Sequence, residues 1–335
     1  MSAPGPAYAR GYPPDAGKAS PAGTPAAVRT VEAMDVQPQV FRDTPAILVE
    51  SIWWDARTDE VVWVDITAGT LHRGPIDGAV DGRDDRVTEL PPPLSAVQPR
   101  AAGGYIAALG DRIVTLDDDG LIAETLAKLD HAHAGLRSNE AKVDPFGRFL
   151  VGSMNVTTGE PNAALYLLDD TGLRMLLGGF GVTNGFEWSD DGRTVYVTDT
   201  TVKTVYRASV GEDGRLGPLE PFLVGYDSDG LTLDTDGRFW NGVNGGGRVL
   251  RWSPDGTVEE ELSVPAPGVT SVAFGGPELT TLFVGTAREN LTEAELVDAP
   301  LSGGIFRFDG LATGRPVNAY GRRSTSVPDP TNDRI

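Results

Sequence analysis

The sequence predicts an all-β protein, a six-bladed β-propeller, from the regular spacing of its turns. Three turn glycines, Gly147, Gly192 and Gly237, are 45 residues apart, and each is followed by an apolar strand pattern. A second series of turns, interleaved with the first, repeats every 42 residues at Gly172, Gly214 and Gly256. Two turns per period imply about four short strands per repeat, as in a propeller blade. Closing such repeats into a ring leaves few strand edges exposed.

The clearest repeat is the hairpin over residues 181–200, GVTNGFEWSDDGRTVYVTDT. Phe186 and Trp188 alternate with small or polar residues, the period-two pattern of a strand with one buried face. The Ser-Asp-Asp-Gly turn at 189–192 is followed by a β-rich return strand. Weaker copies, with turns near Asp59, Gly110 and Glu278, bring the number of predicted hairpins to six.

An oxygen-bearing side chain precedes the turn in four of the six repeats. Asn139, Asn184 and Asp229 lie eight residues before their turn glycines, and Glu50 lies nine before Asp59. The first strand of each blade lines the central channel, so these side chains should converge at one end of it. A single Asn or Asp before a strand is more often a turn former. Four in phase, including carboxylates that would repel one another without a cation, favour a metal site.

The two ends of the chain are predicted to lie outside the propeller. Residues 1–35 begin with a Pro-, Ala- and Gly-rich stretch and predict a disordered tail, and residues 323–335 predict a flexible C-terminal tail. The propeller is predicted over 36–322. A short strand over Val36–Phe41 would join the first or last blade, at an edge because of Pro38.

The blades follow in order along the chain. Blade one is predicted over 48–73, with an outer strand in 74–98. Blade two is predicted over 103–129 and has no polar residue at the position that Asn139, Asn184 and Asp229 occupy in their repeats. Blade three opens at Arg137, and blades four and five carry Asn184 and Asp229. Blade six covers 270–287, and the strand over 304–309 would close the ring. Between them, Thr292 to Glu295 matches a capping box and predicts one short helix.

Two further features near blade three carry possible chemistry. His131 and His133 form an H-x-H pair that could bind a metal, although a loop at the channel mouth is favoured because no third His or Cys is nearby. Arg137 has a fixed fork of donors that suits a polyhydroxylated or anionic ligand. The alternative for Arg137 is an ion pair with a neighbouring carboxylate.

Composition restricts the function classes. The chain has 335 residues and a formal net charge of −20, which argues against nucleic acid and anionic membranes as partners. It has no cysteine, so disulfides and thiolate metal sites are excluded, and a cytoplasmic location is expected. No signal peptide or membrane span is indicated, and no obligate protein partner is evident.

At this point the sequence resembles the senescence marker protein/gluconolactonase family, the regucalcin-type sugar lactonases. The resemblance runs from about Glu50 to Gly321. It is carried by VESIWWD, RSNEAKVDPFGRFLVGSM, TNGFEWSDDGRTVYVTD, SDGLTLDTDGRFW and TSVAFGGPELTTLFVGTA. The family is a six-bladed propeller, in agreement with the repeat count.

The resemblance also implies residue roles. Glu50, Asn184 and Asp229 match the metal ligands of the family, and Asp229 also matches its proposed proton acceptor. Arg137 and Asn139 match positions that contact substrate. The metal set is intact, but the surroundings depart from the family pattern, which raises the question of which substrate is used. The departures are Val49, Glu140-Ala141 and Ser228.

These residues predict divalent-metal-dependent hydrolysis of a sugar (aldono) lactone to the aldonic acid. Hard oxygen donors favour Ca²⁺, with Mg²⁺, Mn²⁺ or Zn²⁺ as other possibilities. The metal would polarise the carbonyl, and Asp229 would act as general base. Two alternatives remain open: hydrolysis of organophosphates or other esters at the same metal site, and a non-enzymatic propeller stabilised by a cation.

Overall fold

Six antiparallel sheets are arranged as blades around a central channel in the computed structural model, which describes residues 32–33, 36–158 and 160–321. The predicted six-bladed propeller is therefore confirmed. Of the two predicted tails, only Glu32 and Ala33 fall within the described residues, so the domain boundaries remain a prediction.

The strands of the first three blades run from the channel to the outer edge in chain order. Two strands precede them, β1 (Glu32–Ala33) and β2 (Gln39–Arg42). Blade 1 contains β3 (Val49–Asp55), β4 (Glu60–Asp65), β5 (Thr70–Pro75) and β6 (Arg86–Glu89). Blade 2 contains β7 (Leu94–Pro99), β8 (Tyr105–Leu109), β9 (Arg112–Leu116) and β10 (Ile122–Lys128). Blade 3 contains β11 (Leu136–Val143), β12 (Phe149–Asn155), β13 (Ala163–Asp169) and β14 (Gly172–Phe180).

The remaining blades follow the same plan, except that the last uses a strand from the start of the chain. Blade 4 contains β15 (Thr183–Trp188), β16 (Thr194–Asp199), a 3₁₀ turn (Thr200–Val202), β17 (Thr204–Ser209) and β18 (Glu220–Val224). Blade 5 contains β19 (Ser228–Leu233), β20 (Phe239–Val243), β21 (Arg248–Trp252) and β22 (Val258–Ser263). Blade 6 contains β23 (Gly268–Gly275), β24 (Thr281–Ala287), β25 (Ile305–Asp309) and β2.

The ring is closed by pairing between the two ends of the chain. The strand β2 lies at the outer edge of blade 6 and pairs antiparallel with β25, with Val40 opposite Phe306. The strand predicted over 36–41 thus occurs at 39–42, at an edge as expected. The shorter β1 adds in parallel to the outer strand of blade 5. The strand predicted over 304–309 is the third strand of its blade, so it closes the ring only together with β2.

Blade 2 differs from the sequence-based assignment. The turn at Gly110 joins β8 to β9, the second and third strands, so it is not equivalent to the turn at Gly147, which joins the first and second. The first strand of this blade is β7, and all but its last residue lies in the segment 74–98 that was expected to hold one outer strand. The true first turn, after Pro99, lacks the Asp-Gly-Arg pattern that marks blades 4 and 5.

The core consists of apolar layers between neighbouring blades. One cluster joins Trp53 and Val62 of blade 1 to Leu94 and Val114 of blade 2. Every residue of β3 is buried, because this innermost strand is covered on both faces. The predicted helix is α1 (Glu293–Asp298), and its capping box with Thr292 is present. Among the described residues, no helix has the length and apolar content needed to cross a membrane.

All six innermost strands carry an irregularity at the same height in the channel. The antiparallel register shifts near the start of β3, β7, β11, β15, β19 and β23. Such bulges redirect side chains and are frequent beside functional sites. The strands also approach closely here: a Cβ on Gly185 would lie 2.6 Å from the Asp229 carbonyl oxygen, and one on Gly230 would lie 2.5 Å from the Thr270 carbonyl oxygen.

The far end of the channel is crossed by the segment 311–321. Thr235 donates its backbone N–H to Thr313, and Tyr320 donates to Pro99, each through a bond of 2.8–2.9 Å. The segment therefore links blades on opposite sides of the ring. A cavity of about 190 Å³ lies between it and the inner strands, with Gln98 among its lining residues. The bulged end of the channel is the end that carries the predicted site.

Candidate functional site

The predicted oxygen donors lie at the bulged ends of four inner strands. Glu50 is on β3, Asn139 on β11, Asn184 on β15 and Asp229 on β19. Glu50, Asn184 and Asp229 are buried, and Asn139 is half-buried. The Asn139 Nδ2 donates to the Asn184 Oδ1 at 2.7 Å and to the Thr183 carbonyl at 2.8 Å. Blades 3 and 4 are thus joined directly at the site.

Asn184 is held on its other side by the next loop of its own blade. Its Nδ2 donates to the Thr200 Oγ1 at 2.9 Å, and that hydroxyl donates to the Ser228 carbonyl at 2.6 Å. The Asn184 Oδ1 accepts from Asn139 and keeps a second lone pair for another partner. The amide of Asn184 is therefore fixed at both ends, with its oxygen on the side of Asn139.

Asp229 is a buried carboxylate that has no cationic partner in the described part of the chain. Its Oδ2 accepts one hydrogen bond, 2.8 Å long, from the Asn244 Nδ2. Burial raises the pKa of Asp229 to about 7, the Asn244 hydrogen bond opposes this rise, and Glu140 adds to it. The environment of the side chain therefore disfavours the ionised form strongly unless a positive charge is present.

Glu50 lies in a similar environment in blade 1. Burial raises the pKa of Glu50 well above its ordinary value, and the nearby charges of Asp229 and Glu140 raise it further. The backbone N–H of Ser51 and the charge of Arg137 act in the opposite direction. The charge of Asp229 on blade 5 therefore acts on the carboxyl of Glu50 on blade 1.

Glu140 is a third acidic group of this region, and it was not predicted as a site residue. Its Oε1 accepts the Ala141 backbone N–H at 2.8 Å. Burial raises the pKa of Glu140 to about 7, while the nearby Lys142 lowers it; Lys142 itself is paired with Glu187. The only sequence signal was its position next to Asn139, where it departs from the family pattern.

Arg137 contacts the same network. Its Nη1 donates to the Ser138 carbonyl and to the Asn139 Oδ1, each at 2.8 Å. Burial lowers the pKa of Arg137, and the charges of Glu289 and Glu50 counter this effect. Among the described residues Arg137 forms no ion pair, so the alternative of a purely structural salt bridge is not realised.

A family model described as the SMP-30/gluconolactonase/LRE-like region matches residues 48–288. The chain belongs to this family. It is 37% identical to a 6-deoxy-6-sulfogluconolactonase of Pseudomonas putida, over 78% of this chain and 91% of that protein. It is 32% identical to a pentonolactonase of Haloferax volcanii, over 82% and 94% of the two chains.

The solved structures include a calcium-binding protein, regucalcin, from Agrobacterium tumefaciens. It superposes with a TM-score of 0.79 at 27% identity, over 85% of this chain and 97% of that one. The expectation of a lactonase is thus confirmed at the level of the family, whose members here include named sugar lactonases.

The side chains present fit the divalent cation that this family suggests. Glu50, Asn184 and Asp229 offer hard oxygen donors of the kind that Ca²⁺ and Mg²⁺ prefer. Two of the three are buried carboxylates whose burial raises their proton affinity, and the charge of Asp229 raises that of Glu50 further. A bound cation would favour the ionised form of both. In the described ranges, no three His, Cys, Asp or Glu side chains stand close enough to hold a metal. The proposed set therefore depends on the Asn184 amide.

The two histidines flanking the site do not form a metal pair. The ring of His131 packs edge-on against Tyr166, whereas His133 contacts the Asn162 Nδ2 at 3.0 Å. Both lie in the loop between β10 and β11, as the loop interpretation predicted. Blades 2 and 6 place Ser95 and Thr270 at the bulges and add no carboxylate there.

Proposed function

We propose that this protein hydrolyses a sugar lactone to the aldonic acid, with one divalent cation held by Glu50, Asn184 and Asp229. The observation that supports this most is that two buried carboxylates lie at the same end of the channel as the hydrogen-bonded Asn184 amide, and that Asp229 has no cationic partner among the described residues. Ca²⁺ is the proposed cation, because three protein donors leave the further positions that its 6–8-fold coordination needs for water and substrate.

The reaction would divide between the cation and the residues of the chain. When bound, the cation would act as a Lewis acid toward the lactone carbonyl. Asp229 would accept a proton from the attacking water, since its Oδ1 is not engaged by Asn244. General-base assistance of this kind is worth about 10²–10⁴ in rate.

Arg137 and Asn139 would orient the substrate. The Arg137 Nη1 donates to Ser138 and Asn139, and within the described ranges the Nε and Nη2 hydrogens have no partner and could bind a ligand. Holding the sugar oxygens with these donors would place the ring carbonyl beside Asp229 and lower the entropic part of the barrier.

Two classes of lactone are candidates. A neutral aldonolactone fits the family as a whole. A lactone that carries a negatively charged group is favoured by the free donor edge of Arg137, since guanidinium binds oxyanions bidentately, and by the similarity to the Pseudomonas sulfogluconolactonase.

The test is turnover of a lactone panel by chelated protein, with Ca²⁺, Mg²⁺, Mn²⁺ and Zn²⁺ added back singly. The panel contains gluconolactone, a pentonolactone and 6-deoxy-6-sulfogluconolactone. We expect metal-restored hydrolysis that Asp229→Asn abolishes. The matched control is Asp227→Asn, which removes an exposed carboxylate two positions away that pairs only with Lys203 at 2.8 Å among the described residues.

Full activity in Asp229→Asn would contradict the role of Asp229 as general base. Glu50→Gln should weaken metal binding, and an unchanged titration would remove Glu50 from the site. Cleavage of phosphoesters but of no lactone would favour the organophosphate alternative. A metal-dependent rise in Tm without any turnover would favour a cation-stabilised binding protein.

A further inference from the structure

Thr200 lies outside the predicted site but touches two of its parts. It begins the 3₁₀ turn that follows β16 and is half-buried. Its Oγ1 accepts from the Asn184 Nδ2 at 2.9 Å and donates to the Ser228 carbonyl at 2.6 Å. Ser228 directly precedes Asp229 on the neighbouring blade. One hydroxyl therefore connects the amide ligand of blade 4 to the strand that carries a carboxylate ligand in blade 5.

The direction of these hydrogen bonds is fixed by the chemistry of the partners. A hydroxyl has one proton, and the Ser228 carbonyl can only accept, so the Thr200 proton goes to Ser228. Thr200 can then only accept from Asn184. Asn184 must consequently turn its NH₂ group toward Thr200 and its oxygen away from it.

The other end of the chain of hydrogen bonds requires the same orientation. Arg137 can only donate, so Asn139 presents its oxygen to Arg137. The Thr183 carbonyl can only accept, so Asn139 presents its NH₂ group to Thr183 and, with it, to the Asn184 oxygen. Donation thus runs in one direction, from Arg137 through the two amides and Thr200 to the Ser228 carbonyl.

We propose that Thr200 is a positioning residue of the metal site. Together with Asn139, it sets the rotation of the Asn184 amide so that the oxygen, not the nitrogen, is available to a cation. It alone ties this amide to the strand of Asp229. The inference rests on the proposed function in one respect only, that Glu50, Asn184 and Asp229 hold a cation. Without Thr200, the amide loses one of the two partners that fix its orientation and keeps only the hydrogen bond from Asn139.

The experiment is a calorimetric titration of the chelated full-length protein with Ca²⁺. Thr200→Val removes the hydroxyl at nearly constant volume, and we expect it to weaken Ca²⁺ affinity about 10–100-fold, the usual effect of losing a residue that orients a ligand. Thr200→Ser keeps the hydroxyl and should restore affinity to within about threefold of wild type, or about 0.7 kcal/mol. Thr281→Val is the matched control, because its hydroxyl donates to Asp309 at the opposite end of the propeller.

Circular dichroism and the Tm of each chelated variant check that it is folded, and Thr200→Ala replaces Thr200→Val if the latter does not fold. Unchanged Ca²⁺ affinity in a folded variant without the hydroxyl would overturn the inference and leave the lactonase proposal intact. A loss of affinity in a protein that hydrolyses no lactone would support the inference and refute the reaction. A wild-type protein that binds no divalent cation would overturn both.

Discussion

Asp229→Asn should stabilise the protein without metal and destabilise it with metal. The carboxyl has a pKa of about 7 in place of its ordinary 3.8. At about 1.4 kcal/mol per pKa unit, the ionised side chain costs the chelated fold up to about 4 kcal/mol. The asparagine removes this charge but introduces an amide donor with no partner, which costs about 1–3 kcal/mol. We therefore expect a net gain of about 2 kcal/mol in the free energy of unfolding.

Urea unfolding at about pH 8, where the wild-type carboxyl is ionised, measures this difference in EDTA and again in excess Ca²⁺. Calcium at about 100 times its Kd should stabilise the wild type by about 2.7 kcal/mol, and the variant by much less, so the order of stability reverses. The control Asp227→Asn removes an exposed charge and should change either value by less than about 0.5 kcal/mol. If Asp229→Asn is the less stable protein in both conditions, Asp229 does not lie in a site built for a cation.

Three further results are expected. At the junction of blades 6 and 1, the Arg42 Nε and Nη2 donate to the buried Asp85 carboxylate. Arg42→Met leaves this carboxylate without its cation and should lower the free energy of unfolding by about 3–5 kcal/mol. A loss below about 1 kcal/mol would contradict this. Burial lowers the pKa of His72 below its ordinary 6.5 in the folded protein. As the pH falls, His72 is therefore protonated in the unfolded chain before it is protonated in the folded one. The free energy of unfolding of the wild type should then fall relative to that of His72→Gln between about pH 7.5 and 5.5. A pH-independent difference between these two proteins in urea unfolding would refute the assignment. Arg137→Met should raise KM about tenfold, the effect of losing about 1.4 kcal/mol of charge-assisted hydrogen bonding; unaltered kinetics on every active lactone would make Arg137 a structural residue.

The blade count was predictable because it is encoded in local turn chemistry. The turn glycines at 147, 192 and 237 each join the first and second strands of a blade, as their common spacing implied. Blade 2 was assigned incorrectly because the turn between its first and second strands lacks the Asp-Gly-Arg pattern. The turn at Gly110, between the second and third strands, was assigned instead. The pairing of β2 with β25 joins residues from the two ends of the chain, and no local pattern specifies such a contact.

The residues of the candidate site could be proposed from the sequence only along the first strand of each blade. Thr200 and Asn244 belong to a different series, since both directly follow the second strand of their blades. Thr200 accepts a hydrogen bond from Asn184, and Asn244 donates one to Asp229. Both partners lie on first strands, and the contacts form only when the blade folds. Counting residues forward from the turn glycines, as well as backward, would have placed both residues at the same end of the channel as Asn184 and Asp229.

Glu50 shows what a repeat can and cannot specify. Glu50 lies nine residues before its turn, whereas the other donors lie eight before theirs. The strand pairing has the same offset, because the last pair before the bulge is Glu50 with Val64 in blade 1 and Ser228 with Val243 in blade 5. In register Glu50 therefore corresponds to Ser228 and not to Asp229, yet its pKa responds to Asp229 first among the charged groups. The extra methylene of Glu and the left-handed backbone of Ser51, with φ of 51°, are the local features that accompany this offset. The period of the repeat thus determines where the backbone enters the channel, whereas the bulge and the length of the side chain determine which oxygen atoms meet there.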